Sequence, residues 1–485
     1  MGALIMVVRK KDDSIFNTAV SMLEALSHRG CESFGIASAH KAIIRRNIEE
    51  LKKERMSSRG LIGYNLAKHT GRETAQPLQN QDFSLVFDGR LYPSPEEGEP
   101  RHIIEKIKDP GDSPANLIKE LNGSYAFALA NGKTVILGMD PIGARPLYFG
   151  ETESICAAAS ERKALWKIGI KKTDSFPPGN IAYVNEYGFS FKAVNTLKLP
   201  PQLNLDLKPA VEKLKNVLSQ SVEERVSDVE EVAVAFSGGV DSSLISFLAK
   251  ACGVKVHLIC VRLEGQKKTG LIQNAARALG LHLYDVVFSL DDLKDILPRI
   301  LWLIEESNIM NVSIAAPFYW VAEYAAKLGL KVLLAGQGAD EIFGGYHRYF
   351  EEYKRRGASD LRNTFYQDIV SCQQSGFPRD NKATAFHKVE LRSPFTDWKV
   401  IQLGLSLSVE LKISSSIDSL RKDVLRRTAR ELGIPKFITE RPKQAIQYTV
   451  GVVRGMQKLA KKEGLTLQEY VKMVSLKSME FRNGK

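Results

Sequence analysis

Residues 232–250 read VAVAFSGGVDSSLISFLAK, and the reading of this stretch decides the fold of the C-terminal half. An apolar, partly β-branched run (Val232–Phe236) is followed by Ser-Gly-Gly-Val-Asp-Ser and then by a segment with helical spacing. Glycines at 238 and 239 let the backbone turn tightly and approach a ligand. A helix starting there offers unpaired N–H groups and the positive end of its dipole to a phosphate. The Gly-Lys-Ser/Thr ending of a Walker loop is absent, so the lysine that would reach a γ-phosphate is missing.

Outward from this loop, the pattern alternates. Lys255–Leu263 reads as a buried strand, Thr269–Leu279 and Ala315–Leu328 as helices, and Lys331–Ala335 as another buried strand. Such alternation predicts an α/β doubly wound parallel sheet, with ligands bound beyond the carboxyl ends of its strands. Beyond residue 350 the spacing is mostly helical. On the other side, LKLPPQLNLDLKP (197–209) carries prolines and no periodicity and reads as a linker between domains at 1–196 and 210–485. The N-terminal part consists of short alternating strands (LIGYNL, DFSLVFDGRLY, NIAYVNEYGFSFK) with helical patterns at Ile15–Leu26 and Ala115–Leu121, which predicts an α+β layered domain.

Bulk properties narrow the classes. A chain of 485 residues with 44% hydrophobic and 26% charged residues reads as globular and divided into domains. Its longest uncharged stretch, Ser307–Ala322, is polar in part and shorter than the ~20 apolar residues of a membrane span. The start shows no signal-peptide core and the five cysteines form no CxxC pair, so a reducing cytoplasm is expected, without zinc or a disulfide framework. Net charge is +12, but the basic residues are scattered and have acidic neighbours; a nucleic-acid partner is admitted and not favoured.

A second loop lies in KVLLAGQGADEIFGGYHRY (331–349), where a strand ends in glycines beside Asp340 and Glu341. Acids beside a phosphate loop suit Mg²⁺, which binds through few carboxylates plus phosphate oxygens. Together, SGGVDSS, GQGADEIFGGY, NKATAFHKVELRSPFTD (381–397) and RPKQA (441–445) resemble the synthetase domain of glutamine-dependent asparagine synthetases. LSHRG (26–30), QPLQNQ (76–81), FDGRLY (87–92), LNGSYAFAL (121–129), DPIGARPLYFG (140–150), ASERKAL (159–165) and FPPG (176–179) resemble the N-terminal-nucleophile glutaminase domain of the same family.

The resemblance implies an Ntn-type glutaminase-like domain with αββα layers, followed by an ATP-pyrophosphatase domain with a helical C-terminal part. It implies that Ser237, Gly238, Gly239, Asp241 and Ser242 hold the pyrophosphate end of ATP, and that Val261 and Gly336 meet its adenine and ribose. Asp241 and Asp340 would serve Mg²⁺, and Lys443 would neutralise the departing pyrophosphate, with Asp340 and Gln337 beside it in the catalytic set. A homodimer is among the assemblies it admits.

The sequence also departs from the family pattern. Family members place a cysteine nucleophile after the initiator methionine, where this chain has Gly2, and glycine cannot attack an amide. The substrate-binding arginine falls at Leu66 and the oxyanion asparagine at Asp88, whose charge would repel a developing oxyanion. In the synthetase half, Gln337 replaces the glutamate of a Gly-Glu-Gly loop. The Thr-Thr-x-Arg segment becomes Met310-Asn311-Val312-Ser313, without the arginine that would grip a carboxylate; Asn311 and Ser313 are left as hydrogen-bonding groups for a neutral substrate.

The expectation is an AMP-forming, ATP-dependent amide ligase that adenylates a carboxylate (aspartate first) and takes ammonia, its glutaminase activity lost. Adenylation of another acceptor (a tRNA base, a metabolite, or a β-lactam-type ring closure) and a non-catalytic nucleotide-binding role stay open beside it.

Overall fold

A computed structural model describes residues 2–11, 14–107, 113–132, 134–266, 270–413, 421–442 and 450–478. The chain divides into two compact units, Met1–Leu197 and Lys198–Lys485.

In the first unit, two antiparallel sheets lie between two helical layers. Strand Gly2–Arg9 sits inside a seven-stranded sheet, paired with Ile155–Ala159 on one side and Gly60–Leu66 on the other. Its alternation separates two cores, as the period of a strand requires. Ala3, Ile5 and Val7 face helices Phe16–Ala25 and Arg162–Lys167, whereas Leu4, Met6 and Val8 face the second sheet. That six-stranded sheet turns Leu85, Phe87 and Leu129 outward onto helices Glu99–Lys106 and Ser113–Glu120. The αββα order expected from the sequence is thus present.

The second unit is built on a five-stranded parallel sheet in the order His282–Phe288, Lys255–Leu263, Glu231–Ala235, Val332–Leu334, Glu390–Arg392. The chain fills one side from the central strand and then returns to the other, so the order reverses between Glu231–Ala235 and Val332–Leu334. Ligand crevices of doubly wound sheets open at such a reversal. Helices Leu290–Ile304 and Ile309–Lys327 pack with the sheet around Trp320, which stacks on Phe288.

Two expectations are corrected, and two strands add to the sequence reading. The strands His282–Phe288 and Glu390–Arg392 were not foreseen: the first is a half-exposed edge, and the second is only three residues long. The linker expected over 197–209 gives way at Leu207 to helix Leu207–Val226, because proline is tolerated in a first helical turn and Pro209 stands there. The residues before it pack on their own unit, Leu203 N–H donating to the Ser406 carbonyl at 2.8 Å. Helix Ile309–Lys327 begins a turn and a half before the expected Ala315, capped by Asn308, whose side chain accepts from Asn311 N–H.

Candidate functional site

The loop after Glu231–Ala235 and the loop after Val332–Leu334 meet at the reversal of strand order. Gly238 has φ +67°, and a β-carbon there would lie 2.8 Å from Arg441 Nη1. The positive φ disfavours any other residue, whereas the Arg441 tip could swing aside. Helix Val240–Ala251 follows with no side-chain cap, so its first N–H groups are left for a ligand. Ser237 and Ser242 stand Oγ to Oγ at 3.3 Å across the turn, and Arg441 Nη1 donates to the carbonyls of Ser237 and Gly238, both at 3.1 Å. Gly336 permits the second loop to close on the first: a β-carbon on it would sit 3.0 Å from Asp241 Cβ.

The crevice opens into a cavity of about 500 Å³. Ser237, Asp241, Ser242, Gly336, Gln337 and Asp340, all singled out from the sequence, line it together. One wall is apolar, from Met310, Ile314 and Phe318 on a single face of helix Ile309–Lys327. Its polar lining includes Tyr346, Arg348, Asp368 and Arg379, with Cys372 beside them. Tyr346 Oη donates to Glu341 at 2.6 Å, and burial together with the Asp340 charge raises the Glu341 carboxyl above its ordinary range.

Val261 does not join this set. Its side chain lies in the hydrophobic core, so an adenine could meet only its backbone. Lys443 lies outside the described residues.

Lys422, which sequence reasoning passed over, sits at the centre. Its side chain is 1% exposed and its ammonium bridges Asp241 Oδ2 at 2.7 Å and Asp340 Oδ1 at 2.6 Å. The two acids therefore converge on one cation position. Asp241 Oδ1 is buried and accepts no hydrogen bond among the described residues. This donor set fits Mg²⁺, which needs only one or two carboxylates beside phosphate oxygens, with Lys422 as its competitor. In the sequence Lys422 stands in LRKDVLRR and resembles any solvated basic turn, so only the fold exposes its role.

The segment expected to offer Asn311 and Ser313 to a substrate behaves otherwise. Ser313 is fully buried and donates to the Met310 carbonyl at 2.8 Å. Asn311 Oδ1 accepts from Arg379 at 3.0 Å while its Nδ2 donates to Glu306 at 2.6 Å. Only Met310 and Ile314 of this stretch face the cavity, because the helical turn points the other two side chains away.

In the first unit, the three positions that break the glutaminase pattern are packed together. A β-carbon on Gly2 would fall 1.8 Å from the Asn65 carbonyl oxygen and 2.9 Å from Tyr64 Oη. Asp88, 1% exposed, accepts from Gly2 N at 3.1 Å and lies 3.8 Å from Arg29, whose Nε donates to the Gly2 carbonyl at 2.9 Å. Leu66 is buried between the sheets. Arg29 in turn reaches Glu161 at 3.1 Å, beside His28 and Lys163. Burial lowers the His28 imidazole below its usual range; burial also works against the Glu161 charge, but Lys163, the His28 contact and Arg29 hold that carboxyl far below the usual range. Cys31 is exposed.

No helix among the described residues is long and apolar enough to cross a membrane. Comparison with known proteins agrees with the fold. The family described as asparagine synthase matches residues 213–363 and 353–469, and the glutamine amidotransferase domain matches 65–167. A protein of Methanocaldococcus jannaschii, provisionally named asparagine synthetase (glutamine-hydrolyzing) 1, is 29% identical over 520 residues, covering 95% of this chain and 96% of that one. Asparagine synthetase B (glutamine-hydrolyzing) of Escherichia coli strain K12 is 25% identical, covering 89% and 79%. Among solved structures, a glutamine PRPP amidotransferase from B. subtilis aligns with TM-score 0.37 and 16% identity over 61% of this chain and 92% of that one, a likeness too slight to bear weight. With more than half of its length matched by one family, the chain belongs to the asparagine synthase family.

Proposed function

We propose that this chain is an AMP-forming, ATP-dependent amide ligase that activates a carboxylate and transfers ammonia to it, with aspartate the first acceptor to try. The observation that carries the reading is the convergence of Ser237, Asp241, Gly336 and Asp340 at the point where strand order reverses, on a cavity large enough for a second substrate.

A carboxylate oxygen of the acceptor attacks the α-phosphorus of ATP, and the bond to the bridging oxygen breaks to release pyrophosphate. The nitrogen lone pair then attacks the acyl carbon, AMP leaves, and the amide loses a proton. The leaving pyrophosphate is highly charged, so fixed donors aimed at it lower the barrier. In this reading the Ser237 and Ser242 hydroxyls and the opening N–H groups of Val240–Ala251 meet that charge, and the Lys422 ammonium, displaced from between Asp241 and Asp340 when Mg²⁺ binds, turns to the phosphates. Mg²⁺ held by Asp241 and Asp340 would offset further phosphate charge. Lys443 is proposed to neutralise the same leaving group.

The nitrogen donor in this reading is free ammonia. Position 2 has no room for a nucleophilic side chain, and Asp88 places negative charge where an oxyanion would need donors. The test follows a heavy-oxygen label in the acceptor carboxylate. Label appearing in AMP supports direct attack on the α-phosphorus; label absent from AMP, with ADP and phosphate as products, refutes it.

A further inference from the structure

The two places where the synthetase half leaves its expected pattern, Asn311 and Gln337, are joined through one buried ion pair. Arg379 grips Asp380 with both arms of its fork, Nε to Oδ1 at 2.7 Å and Nη2 to Oδ2 at 3.0 Å. Its remaining nitrogen, Nη1, donates to Asn311 Oδ1 at 3.0 Å. Gln337 Nε2 donates to Asp380 Oδ2. Asp380 is fully buried and lies behind the cavity, whereas Gln337 and Arg379 line it.

This chain of contacts fixes the direction of both amides. Arginine only donates and an ionised carboxylate only accepts. Asn311, held between Arg379 and Glu306, has both ends committed. Gln337 must turn its NH₂ toward Asp380, which leaves its carbonyl oxygen for the cavity. Among the described residues nothing donates to that oxygen. The polar wall beside it carries Glu341 and Asp368, which also favour a group rich in N–H donors.

We infer that Gln337 Oε1 is the hydrogen-bond acceptor for the amino group of a substrate, either ammonia or the amine of the carboxylate acceptor, and that Asp380 is the positioning residue that aims it. The inference rests on the ligase reading of this cavity. Gln337 takes no proton in this role; it holds the nitrogen by an N–H bond.

The test is a charge swap. In Asp380→Asn, the carboxamide keeps its oxygen on Arg379 Nε, and the NH₂ that replaces Oδ2 meets both the Nη2 donor of Arg379 and the amide of Gln337, which must flip and point its own NH₂ at the substrate. The KM for one nitrogen substrate, ammonium or aspartate, rises about tenfold while the KM for ATP stays within about twofold. The substrate whose KM moves identifies the amino group bound. In Gln337→Glu the two acids face each other, and the thermal midpoint falls by several degrees without any substrate. In Gln337→Glu/Asp380→Asn the new carboxylate at 337 accepts from the new amide at 380 and turns an acceptor oxygen to the cavity again, so the midpoint falls by less than the sum of the two single losses and the KM returns to within about threefold of wild type. A midpoint that Gln337→Glu leaves unchanged overturns the amide lock, whether or not wild type turns over. An intact midpoint cycle with unmoved KM values overturns the assignment of Oε1 to a substrate. Wild type inactive with aspartate and ammonium overturns that assignment together with the ligase reading, and the lock is then judged on the midpoints alone.

Discussion

Replacing Lys422 by methionine removes the only ammonium seen between Asp241 and Asp340 among the described residues while keeping most of its volume. Two carboxylates then face each other with their shared cation gone. Removing one partner of a buried ion pair costs about 3–5 kcal/mol, because the charge left behind stays desolvated. Here the acids are 15% and 16% exposed, so water relieves part of the repulsion and the lower end, about 3 kcal/mol, applies. For a unit of this size that corresponds to a fall in thermal midpoint of about 6–12 °C. The structure also fixes how the loss is recovered. A divalent cation taking the vacated position binds the folded state and not the unfolded chain, so millimolar Mg²⁺ raises the midpoint of Lys422→Met by more than it raises wild type. Circular dichroism melts with and without MgCl₂ give all four midpoints. A fall of less than about 2 °C, or equal Mg²⁺ stabilisation of both proteins, refutes the claim that the ammonium and the metal share one site.

Other outcomes follow from the same geometry. Gly2→Cys gains no glutaminase activity and lowers the thermal midpoint, since the new side chain meets the Asn65 carbonyl; glutamate release from glutamine by this variant would refute the account of the first unit. Arg441→Ala, which unpins the carbonyls of Ser237 and Gly238, raises the KM for ATP by about tenfold in pyrophosphate release and leaves the acceptor KM nearly unchanged. Lys412 is fully buried, finds no hydrogen-bond partner among the described residues, and lies 4.7 Å from the Phe365 ring centre; burial pulls its ammonium down to about 7. A base whose folded pKa lies below its unfolded value destabilises the fold as pH falls through that window. Wild-type stability in urea therefore rises by about 2 kcal/mol between pH 7 and 9, and Lys412→Met flattens that rise. An unaltered slope would show that the lysine titrates normally.

How much could be read in advance depended on where the energy lies. Lys255–Leu263 was legible to the residue, because its middle, Leu258–Val261, is the apolar run that a strand covered on both faces requires. Glu390–Arg392 was not, since the pairing of its two charged residues, at 3.1 Å, is completed by a distant one: Arg392 also reaches Asp228 at 2.5 Å. The Ser237–Ser242 turn was legible because glycine and serine at fixed spacing carry its geometry locally. Lys422 lies 181 residues from Asp241, and nothing in its neighbours marks it. Arg379-Asp380 reads as an ordinary surface pair of opposite charges until the fold buries it beneath Gln337. Local chemistry was visible in the chain; groups that act across the fold were not.

The central claim is that ATP is cleaved between its α- and β-phosphates to make an amide with ammonia as donor. Pyrophosphate and AMP release from Mg-ATP tests it most directly, with aspartate plus ammonium set beside aspartate plus glutamine and Asp241→Ala run in parallel. The account predicts release with ammonium, none above background with glutamine, and loss of both in Asp241→Ala. Release with glutamine would contradict the closed first unit, and no release with either nitrogen source would contradict amide formation from aspartate.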